Sequence, residues 1–458
     1  MAFAFLGPLT AQADEIDRYV AAQIRALHIP GLSLAVVRDG KLIKAQGYGL
    51  VDLELNAPAT KATVYEIGSI SKQFTAAAVM LLVEEGRLEL SDTISKYFPD
   101  APESWRQITV QHLLTHTSGI QNHVAVPGYL KVFKTNLSWD ESPSRDELRK
   151  MFFALPLEFQ PGETWAYDNT GYYLLGIIIE KTSGKSYWEF LHDRVFKPLE
   201  MKATRNTDMR PIVRNRASGY AWVKDHYENR PVLAPFIAFS AGSLLSTVED
   251  MVKWDAALTS GKLLRQAALE RIWAPVRTND GATPPFDYGF AWFIHAYRGR
   301  RIVQHSGGTP GFSSTYYRFL DDKLSIIILT NHSDRVLDQL AVDIAGMYIP
   351  GLKRPDGRTD PHPELSSRLK ALTADLLAGK ANPEAFAPAM RIFLNTASGR
   401  SWYQWFAEHG ELTSFTFSES EEVGESRVLR YKIGLGGNSY WCSVKLNSDD
   451  RIAQVHLW

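Results

Sequence analysis

The stretch EIGSISKQFTAAAVMLLVEEG, residues 66–86, places a serine and a lysine three positions apart at the start of a run that is apolar on nearly every face. A helix that is apolar all round is a buried helix, and Gly86 stands where a C-terminal cap would lie. Ser69 would then sit at the helix N-terminus, where the dipole and the free N–H groups favour negative charge. Lys72 follows on the same face. The stretch therefore predicts a serine nucleophile with a lysine beside it.

The same chain contains a control for this pattern. Ser-x-x-Lys arises by chance about once or twice in a chain of this length at average composition, and Ser367 and Lys370 repeat it in the text SSRLK. That second pair lies on an amphipathic helix with Arg368 alongside, which is typical of a solvated face. The spacing alone decides nothing, and the apolar setting distinguishes Ser69 from Ser367.

Composition limits the classes of protein that the chain can belong to. At 458 residues it exceeds what one core usually fills, so two or three domains are expected. Fifty basic against 51 acidic side chains give a formal charge of −1, so no global field draws the protein to nucleic acid. The single cysteine, Cys442, excludes an intramolecular disulfide and a cysteine-rich metal site. We expect no cofactor and no metal.

The first thirteen residues, MAFAFLGPLTAQA, are apolar and end in an Ala-Gln-Ala sequence that resembles a signal-peptidase site. The positively charged n-region of a signal peptide is missing. We interpret residues 1–13 as the remnant of an export signal, which predicts a periplasmic or secreted protein, with a cytoplasmic location left open. No later apolar run reaches the roughly 18 to 20 residues that span a bilayer, so no stable membrane insertion is expected.

Strand patterns occur early and late in the main part of the chain, residues 14–351, and helical patterns occur between them. Asp39-Gly40 and Asp321-Asp322 each separate two apolar runs and predict hairpins. A helix is expected over about residues 14–27, and another that is capped at Thr247. The two sets of strands are expected to join in one sheet. The predicted fold class is α/β, an antiparallel sheet flanked by helices plus a mainly helical subdomain.

A boundary is predicted at residues 352–364, where LKRPDGRTDPHP brings three prolines and several charges together in the manner of a linker. Beyond it, residues 365–458 read as a helix followed by alternating strands. We therefore expect a small α+β domain at the C-terminus. It carries no catalytic cluster, and a packing, dimerising or substrate-gating role is left open for it.

Two further motifs follow Ser69-x-x-Lys72 along the chain. Tyr167-x-Asn169 lies in PGETWAYDNTGYYLLG between a Pro-Gly turn and an apolar helix, and HSGG, residues 305–308, ends a strand. In this order the three motifs resemble those of the serine β-lactamase and penicillin-binding protein superfamily, in the branch of class C β-lactamases, D-Ala-D-Ala carboxypeptidases and related esterases. The resemblance covers roughly residues 15–350. A second Tyr-x-Asn, at Tyr227, lies in a charged segment with no helix after it.

The resemblance implies a β-lactamase/transpeptidase-like fold and an acyl-enzyme mechanism. Ser69 attacks a carbonyl group, Tyr167 and Lys72 share the removal of its proton, and Tyr167 activates the water that deacylates. Tyrosine normally titrates near pH 10, so this role needs neighbouring cations. The implied oxyanion donors are the backbone N–H groups of Ser69 and Gly308.

The resemblance also implies that Asn169, His305, Gly307 and Gly308 contact the substrate or its oxyanion, and that the C-terminal unit is an accessory domain of cystatin-like type. His305 stands where β-lactamases usually have lysine, which argues against efficient β-lactam hydrolysis because histidine is mostly neutral at pH 7. Asp168, inside the tyrosine motif, is expected to face outward.

The predicted function is that of a serine hydrolase, an esterase or a peptidase, with a small-molecule or peptide substrate. A D-amino-acid peptidase or carboxypeptidase, a β-lactamase and a non-catalytic penicillin-binding sensor remain open, as does a homo-oligomer. His112 and His116 are four residues apart and could bind a metal, but no glutamate accompanies them as in His-Glu-x-x-His. The resemblance makes them structural.

Overall fold

The structure, a computed structural model, describes residues 7–126, 144–231, 235–333, 337–353 and 359–457, with side chains from residue 15 onward. Within those ranges the helices are α1 Gly7–Ala26, α2 Ser71–Glu84, α3 Val110–Thr115, α4 Arg145–Phe153, α5 Asn169–Ser183, α6 Tyr187–Leu191, α7 Pro235–Ala238, α8 Val248–Ser260, α9 Gln266–Ile272, α10 Asp338–Tyr348, α11 Pro363–Leu377, α12 Pro388–Leu394 and α13 Ala397–Ala407.

The strands in the described ranges are β1 Gly31–Arg38, β2 Lys41–Asp52, β3 Ala57–Pro58, β4 Tyr65–Glu66, β5 Arg205–Asn206, β6 Tyr220–Val223, β7 His226–Asn229, β8 Leu244–Ser246, β9 Phe293–Tyr297, β10 Arg300–Thr309, β11 Phe312–Phe319, β12 Leu324–Thr330, β13 Leu412–Val423, β14 Ser426–Leu435, β15 Asn438–Leu446 and β16 Ile452–Leu457.

The described residues form two compact units. Of the described residues, those within Met1–Leu88, Leu175–Ala274 and Phe290–Lys353 form the first unit, and those within Glu89–Leu174, Pro275–Gly289 and Arg354–Trp458 form the second. Residues 1–6 lie outside the described residues, and α1 begins at Gly7, so the predicted N-terminal helix is longer than expected. No helix in the described part of the chain combines the length and apolarity needed to cross a membrane.

The first unit is built on a seven-stranded antiparallel sheet with the order β3-β2-β1-β12-β11-β10-β9. Strand β1 pairs with β12, with Leu34 opposite Ile328, so the early and late strands join as predicted. Both predicted hairpins are confirmed. In the first of them Asp39 and Gly40 adopt φ values of 51° and 70°, as a tight two-residue turn between twisted strands requires.

Helices cover both faces of this sheet, which is why β11 and β12 are buried along their whole length. On one face, α1 and α10 share an apolar core with alternate residues of the central strands, such as Val36, Phe319 and Ile326. On the other face, the Asp255 carboxylate of α8 accepts hydrogen bonds from Tyr316 and Ser325 and lies 3.0 Å from the Arg318 guanidinium. The predicted antiparallel sheet with flanking helices is confirmed.

Helix α2 is the buried helix that the opening stretch predicted. It follows a 3₁₀ turn, Gly68–Ile70, and ends before Gly86, whose φ of +67° suits a C-terminal cap. Its Phe74 ring lies 4.5 Å from the ring of Trp254 on α8. Helix α8 in turn begins at the predicted cap, since Thr247 Oγ1 accepts a hydrogen bond from Asp250 N at 3.1 Å.

The second unit contains α3, α4 and the first residues of α5, together with the C-terminal segment. That segment forms a four-stranded antiparallel meander, β13-β14-β15-β16, with helices α11, α12 and α13. The predicted small α+β C-terminal domain is confirmed. Residues 354–358 of the predicted linker lie outside the described residues, and the boundary at 352–364 stays a prediction.

Candidate active site

Ser69 lies in the tight turn that leads into α2 and is partly exposed. The residue before it, Gly68, has a φ of +50°, and a Cβ atom there would lie 2.6 Å from the backbone nitrogen of Gly308. The conformation favours glycine, and the close approach leaves no room for a side chain. The turn that carries Ser69 is therefore packed directly against the end of β10.

Lys72 is completely buried, with 0% of its surface exposed. Its ammonium nitrogen donates to Ser69 Oγ at 3.1 Å and to the carbonyl oxygen of Ala241 at 2.8 Å. A buried ammonium is costly unless hydrogen bonds replace its lost water. Ala241 thus fixes the direction of Lys72. The sequence does not predict the contact with Ala241, because the backbone carbonyl of any residue type can accept a hydrogen bond.

The glycines of the third motif, Gly307 and Gly308, lie where the end of β10 meets the turn that carries Ser69. A Cβ at Gly307 would lie 2.0 Å from the carbonyl oxygen of Ile67, and the Ser314 hydroxyl donates to that same oxygen at 2.9 Å. Gly308 is different, since a Cβ there would meet no atom within 4 Å. The structure places Gly308 beside Gly68, one residue from the predicted nucleophile, and its role as an oxyanion donor stays a prediction.

His305 is buried, with 2% of its surface exposed. Its Nδ1 lies 2.6 Å from the carbonyl oxygen of Ser306, so Nδ1 carries a proton and donates it to that carbonyl. The ring lies 5.4 Å from the ring of Phe293. The predicted role of His305 in contacting substrate stays a prediction, and the bond to Ser306 fixes the orientation of its ring.

Tyr167 and Asn169 belong to the second unit. Tyr167 is partly exposed, and its ring centroid lies 4.4 Å from that of His116. Asn169 is the first residue of α5, and its backbone nitrogen and side-chain amide both donate to Asn122 Oδ1 at 3.2 Å. Asn122 was not predicted, because nothing in its local sequence distinguishes it from a loop asparagine.

The expectation that Asp168 faces outward is wrong. Its side chain is buried, with 1% exposed, and its Oδ1 accepts a hydrogen bond from Gly171 N at 2.6 Å. Asp168 is therefore the N-cap of α5, which satisfies a backbone N–H that the helix leaves without an intrahelical partner. Its own backbone nitrogen donates to His116 Nδ1 at 3.2 Å.

The second copies of the Ser-x-x-Lys and Tyr-x-Asn motifs lie on a helix surface and on a β-hairpin. Ser367 and Lys370 are exposed on α11, where the Ser367 hydroxyl donates to the Pro363 carbonyl oxygen at 2.9 Å. Tyr227 lies on the β6–β7 hairpin, with its ring 4.7 Å from that of Trp222.

The histidine pair is structural in this fold. His112 forms a capping box with Thr109 at the start of α3, and His116 closes the same helix with a left-handed φ of 57°. The described residues contain no cluster of three or more potential metal-ligating His, Cys, Asp or Glu side chains.

Comparison with known proteins matches residues 16–345 to the Beta-lactamase family model. Penicillin-binding protein 4* of Bacillus subtilis is 32% identical over 333 residues, which cover 69% of this chain and 71% of that protein.

Two solved structures extend the comparison. The octameric penicillin-binding protein homologue from Pyrococcus abyssi shares the fold over 95% of this chain and 96% of its own, with a TM-score of 0.63 and 23% identity. The D-amino acid amidase from Ochrobactrum anthropi SV3 is 26% identical and has a TM-score of 0.61 over 72% of this chain and 97% of its own.

Proposed function

Since this chain belongs to the beta-lactamase family, whose relatives include penicillin-binding proteins and serine hydrolases, we propose that it cleaves ester or amide bonds through an acyl-enzyme on Ser69. The observation that carries the proposal is the bond from the buried Lys72 ammonium to the Ser69 hydroxyl. A serine hydroxyl is a weak nucleophile until a neighbouring group withdraws its proton and stabilises the alkoxide. The Lys72 ammonium, held in place by Ala241, stabilises the alkoxide, and Lys72 shares the removal of the proton with Tyr167 only when its amine is neutral.

In the proposed reaction Ser69 Oγ forms a bond to the substrate carbonyl carbon while its proton passes to the Lys72–Tyr167 pair. The tetrahedral oxyanion accepts hydrogen bonds from the backbone N–H groups of Ser69 and Gly308. Collapse breaks the bond to the leaving alcohol or amine, which takes up the proton. Water then attacks the acyl carbon and loses a proton to Tyr167, and Tyr167 passes that proton to Ser69 Oγ as the bond between Ser69 Oγ and the acyl carbon breaks and the acid is released.

We assign Asn169, His305 and Gly307 to substrate contact and to the support of the oxyanion, as the motif order implies. The bond from Asn169 to Asn122 supports this assignment, because a substrate amide contact needs a fixed carboxamide. The bond from His305 to Ser306 holds the imidazole in a single orientation.

The proposed substrate class is an ester or a peptide-like amide, which makes the protein an esterase or a peptidase. A second candidate is hydrolysis of D-amino-acid amides or peptides, which the likeness to the D-amino acid amidase over 97% of that chain favours. A β-lactam is the weaker candidate because His305 replaces the usual lysine. A sensor without turnover is disfavoured because Ser69, Lys72 and Tyr167 are all present.

Assembly and location are proposed on narrower grounds. The octameric state of the Pyrococcus abyssi homologue supports a homo-oligomer here, and light scattering on the purified chain would measure its mass.

The apolar residues 1–13 support a periplasmic or secreted location. Fractionation of the native host, followed by N-terminal sequencing, tests that proposal.

Intact-protein mass spectrometry tests the reaction. The protein is incubated with a fluorophosphonate, a penicillin, a p-nitrophenyl ester and a D-amino-acid amide, and turnover is measured in parallel. We expect a fluorophosphonate adduct on Ser69 together with ester or amide turnover. A stable penicilloyl adduct would indicate a peptidase, and adducts without any turnover would indicate a sensor. The absence of any adduct on Ser69 would contradict the proposal.

A further inference from the structure

The segment 158–167, here called the tyrosine strap, carries Tyr167 to the start of α5. Its backbone pairs with the residues that follow α3, with Glu158 N donating to Gly119 O at 2.8 Å and Ala166 N donating to His116 O at 3.0 Å. These bonds hold one side of the strap. Its other contacts in the second unit include hydrogen bonds to residues more than two hundred positions away in the chain.

Three hydrogen bonds tie the tyrosine strap to α12 and α13 of the C-terminal domain. Thr164 Oγ1 donates to Ala389 O at 2.7 Å, and both residues are buried. Glu158 Oε1 accepts from Ala397 N, the first residue of α13, at 2.6 Å. Ser398 Oγ donates to the backbone carbonyl oxygen of Tyr167 at 2.5 Å.

Aromatic packing supports the same attachment. The Trp165 ring lies 4.6 Å from Phe286 and 6.1 Å from Phe393 of α12, and Phe286 stacks on His456 of β16 at 4.8 Å. Aromatic pairs of this kind attract each other beyond the effect of the area that they bury. The strap is thus packed on the C-terminal domain and is also hydrogen-bonded to it.

Ser398 itself has a fixed position. It is the second residue of α13, whose N-cap, Thr396, accepts a hydrogen bond from Gly399 N at 3.0 Å. Gly399 approaches α12 so closely that a Cβ there would lie 2.0 Å from Phe393 O. Helix α13 is therefore packed closely against α12, and this packing places the Ser398 hydroxyl beside the tyrosine strap.

The hydrogen bond from Ser398 to the Tyr167 carbonyl oxygen constrains the peptide that joins Tyr167 to Asp168. Tyr167 precedes the N-cap Asp168, so its carbonyl oxygen is not used by α5 and needs another donor. The peptide that joins Tyr167 to Asp168 is planar. The Ser398 hydroxyl donates a hydrogen bond to the oxygen of this peptide, and the N–H of the same peptide donates to His116 Nδ1 at 3.2 Å. Rotation of that plane, which would swing the Tyr167 side chain, is blocked at both ends.

We propose that the C-terminal domain is a positioning element for the base, with Ser398 as the positioning residue that fixes Tyr167 through its carbonyl oxygen. The proposal rests on the function proposed above, in which Tyr167 accepts the proton. It gives the domain a part in the reaction that its own sequence, with no catalytic cluster, does not suggest.

The test compares Ser398→Ala with Ser398→Thr, which retains the hydroxyl, and with Ser367→Ala, which removes a serine hydroxyl from exposed α11. A misplacement of a catalytic group by about 1 Å costs up to about 10²-fold in rate. We expect kcat for a p-nitrophenyl ester to fall on the order of ten-fold in Ser398→Ala, with KM little changed. Wild-type kcat is expected in Ser398→Thr and in Ser367→Ala.

The decisive measurement is the double variant. If Ser398 acts through Tyr167, Ser398→Ala has no further effect on kcat in a Tyr167→Phe background, so the two losses are not additive. An equal loss from Ser398→Ala in both backgrounds, or wild-type kcat in the single variant, would overturn the proposal.

Hydrogen exchange gives a readout that does not depend on activity. Backbone amides of residues 162–168 should exchange faster in Ser398→Ala than in Ser367→Ala, because local opening of the tyrosine strap becomes easier. Unchanged exchange at these amides would overturn the positioning proposal even if the wild type hydrolyses its substrate. Failure of the proposed function is a separate result, namely a wild type that forms no adduct on Ser69.

Discussion

The ammonium nitrogen of Lys72 lies 3.1 Å from the hydroxyl oxygen of Ser69, at the start of a helix whose first residues are buried. The lysine has no exposed surface, whereas Ser69 is partly exposed, so the bond joins a buried ammonium to a hydroxyl that a substrate can reach. The pair therefore behaves as one chemical unit. Its two members can be tested separately against the duplicate motif in α11.

Ser69→Ala is expected to abolish acylation and turnover, because it removes the attacking oxygen while leaving the fold intact. The matched control is Ser367→Ala, on the exposed face of α11. Fluorophosphonate labelling and ester turnover measure the two variants side by side. Equal labelling of both variants would remove Ser69 from its assigned role.

Lys72→Met is expected to lower kcat/KM by a factor on the order of 10² to 10⁴, the usual contribution of a positioned proton-transfer group. Methionine preserves the volume of the buried stem, whereas alanine would leave a cavity. Lys370→Met, in the exposed duplicate, should leave the rate unchanged. Circular dichroism checks that both variants fold. A Lys72→Met enzyme with wild-type kinetics would show that Lys72 has a structural role only.

Tyr167→Phe retains the ring and its packing on His116 but removes the phenolic oxygen. A fall in ester turnover on the order of 10² to 10⁴ is expected. In the wild type, turnover should rise with pH along a limb that reports deprotonation of the catalytic base. The control is Tyr227→Phe on the β6–β7 hairpin, which should leave that limb in place. If Tyr167→Phe keeps both the rate and the limb, Tyr167 is not the base.

The buried carboxyl group of Glu66 should make the free energy of unfolding depend on pH. Burial raises the pKa of this carboxyl group from 4.5 to about 7, and the nearby Arg216 guanidinium only partly opposes the shift. The folded state therefore binds the proton more tightly than the unfolded state between about pH 4.5 and pH 7. The corresponding stability is fully present below pH 4.5 and lost as the pH rises through about 7. The loss is on the order of 3 kcal/mol.

Urea unfolding at pH 5 and pH 8 measures this slope, provided that the transition is two-state. Glu66→Gln mimics the neutral form and should flatten the part of the slope that Glu66 causes. Glu364→Gln, at the exposed start of α11, should not change the slope. An unaltered slope in Glu66→Gln would show that other groups carry the pH dependence.

Limited proteolysis should cut the chain within residues 352–364, where prolines and charges disfavour regular structure. The C-terminal fragment should nevertheless remain bound after cleavage, because Trp165, Phe286 and Phe393 pack together across the cut in the second unit. Gel filtration of the nicked protein measures this. Release of a free C-terminal fragment under native conditions would contradict the attachment of the tyrosine strap.

Local chemistry was sufficient to predict several features of the fold. The Asp39-Gly40 turn, the Thr247 cap and the Gly86 cap each depend on one or two residues whose backbone preferences are strong. The burial of the start of α2 was predictable from the apolar residues that surround Ser69 in the sequence. Asp168 could have been recognised as an N-cap, since an aspartate directly before an apolar helix is a standard start signal.

Other features depend on contacts that no local pattern encodes. The Ala241 carbonyl that holds Lys72 is 169 residues away from it in the chain, and the Ser398 hydroxyl is 231 residues from Tyr167. Both bonds use a backbone carbonyl as acceptor, which every residue type offers. They can be found only when the tertiary structure brings distant segments together.

The approach of Gly68 to Gly308 has a consequence for directed evolution of this protein. A Cβ atom at Gly68 would collide with the main chain of β10, and one at Gly307 would collide with Ile67, so randomised codons at these two positions would yield almost exclusively inactive clones. Gly308 is the exception, because a side chain there would extend into open space one residue away from that collision. A library that retains glycine at 68 and 307 and diversifies 308 would therefore contain a larger share of correctly packed variants.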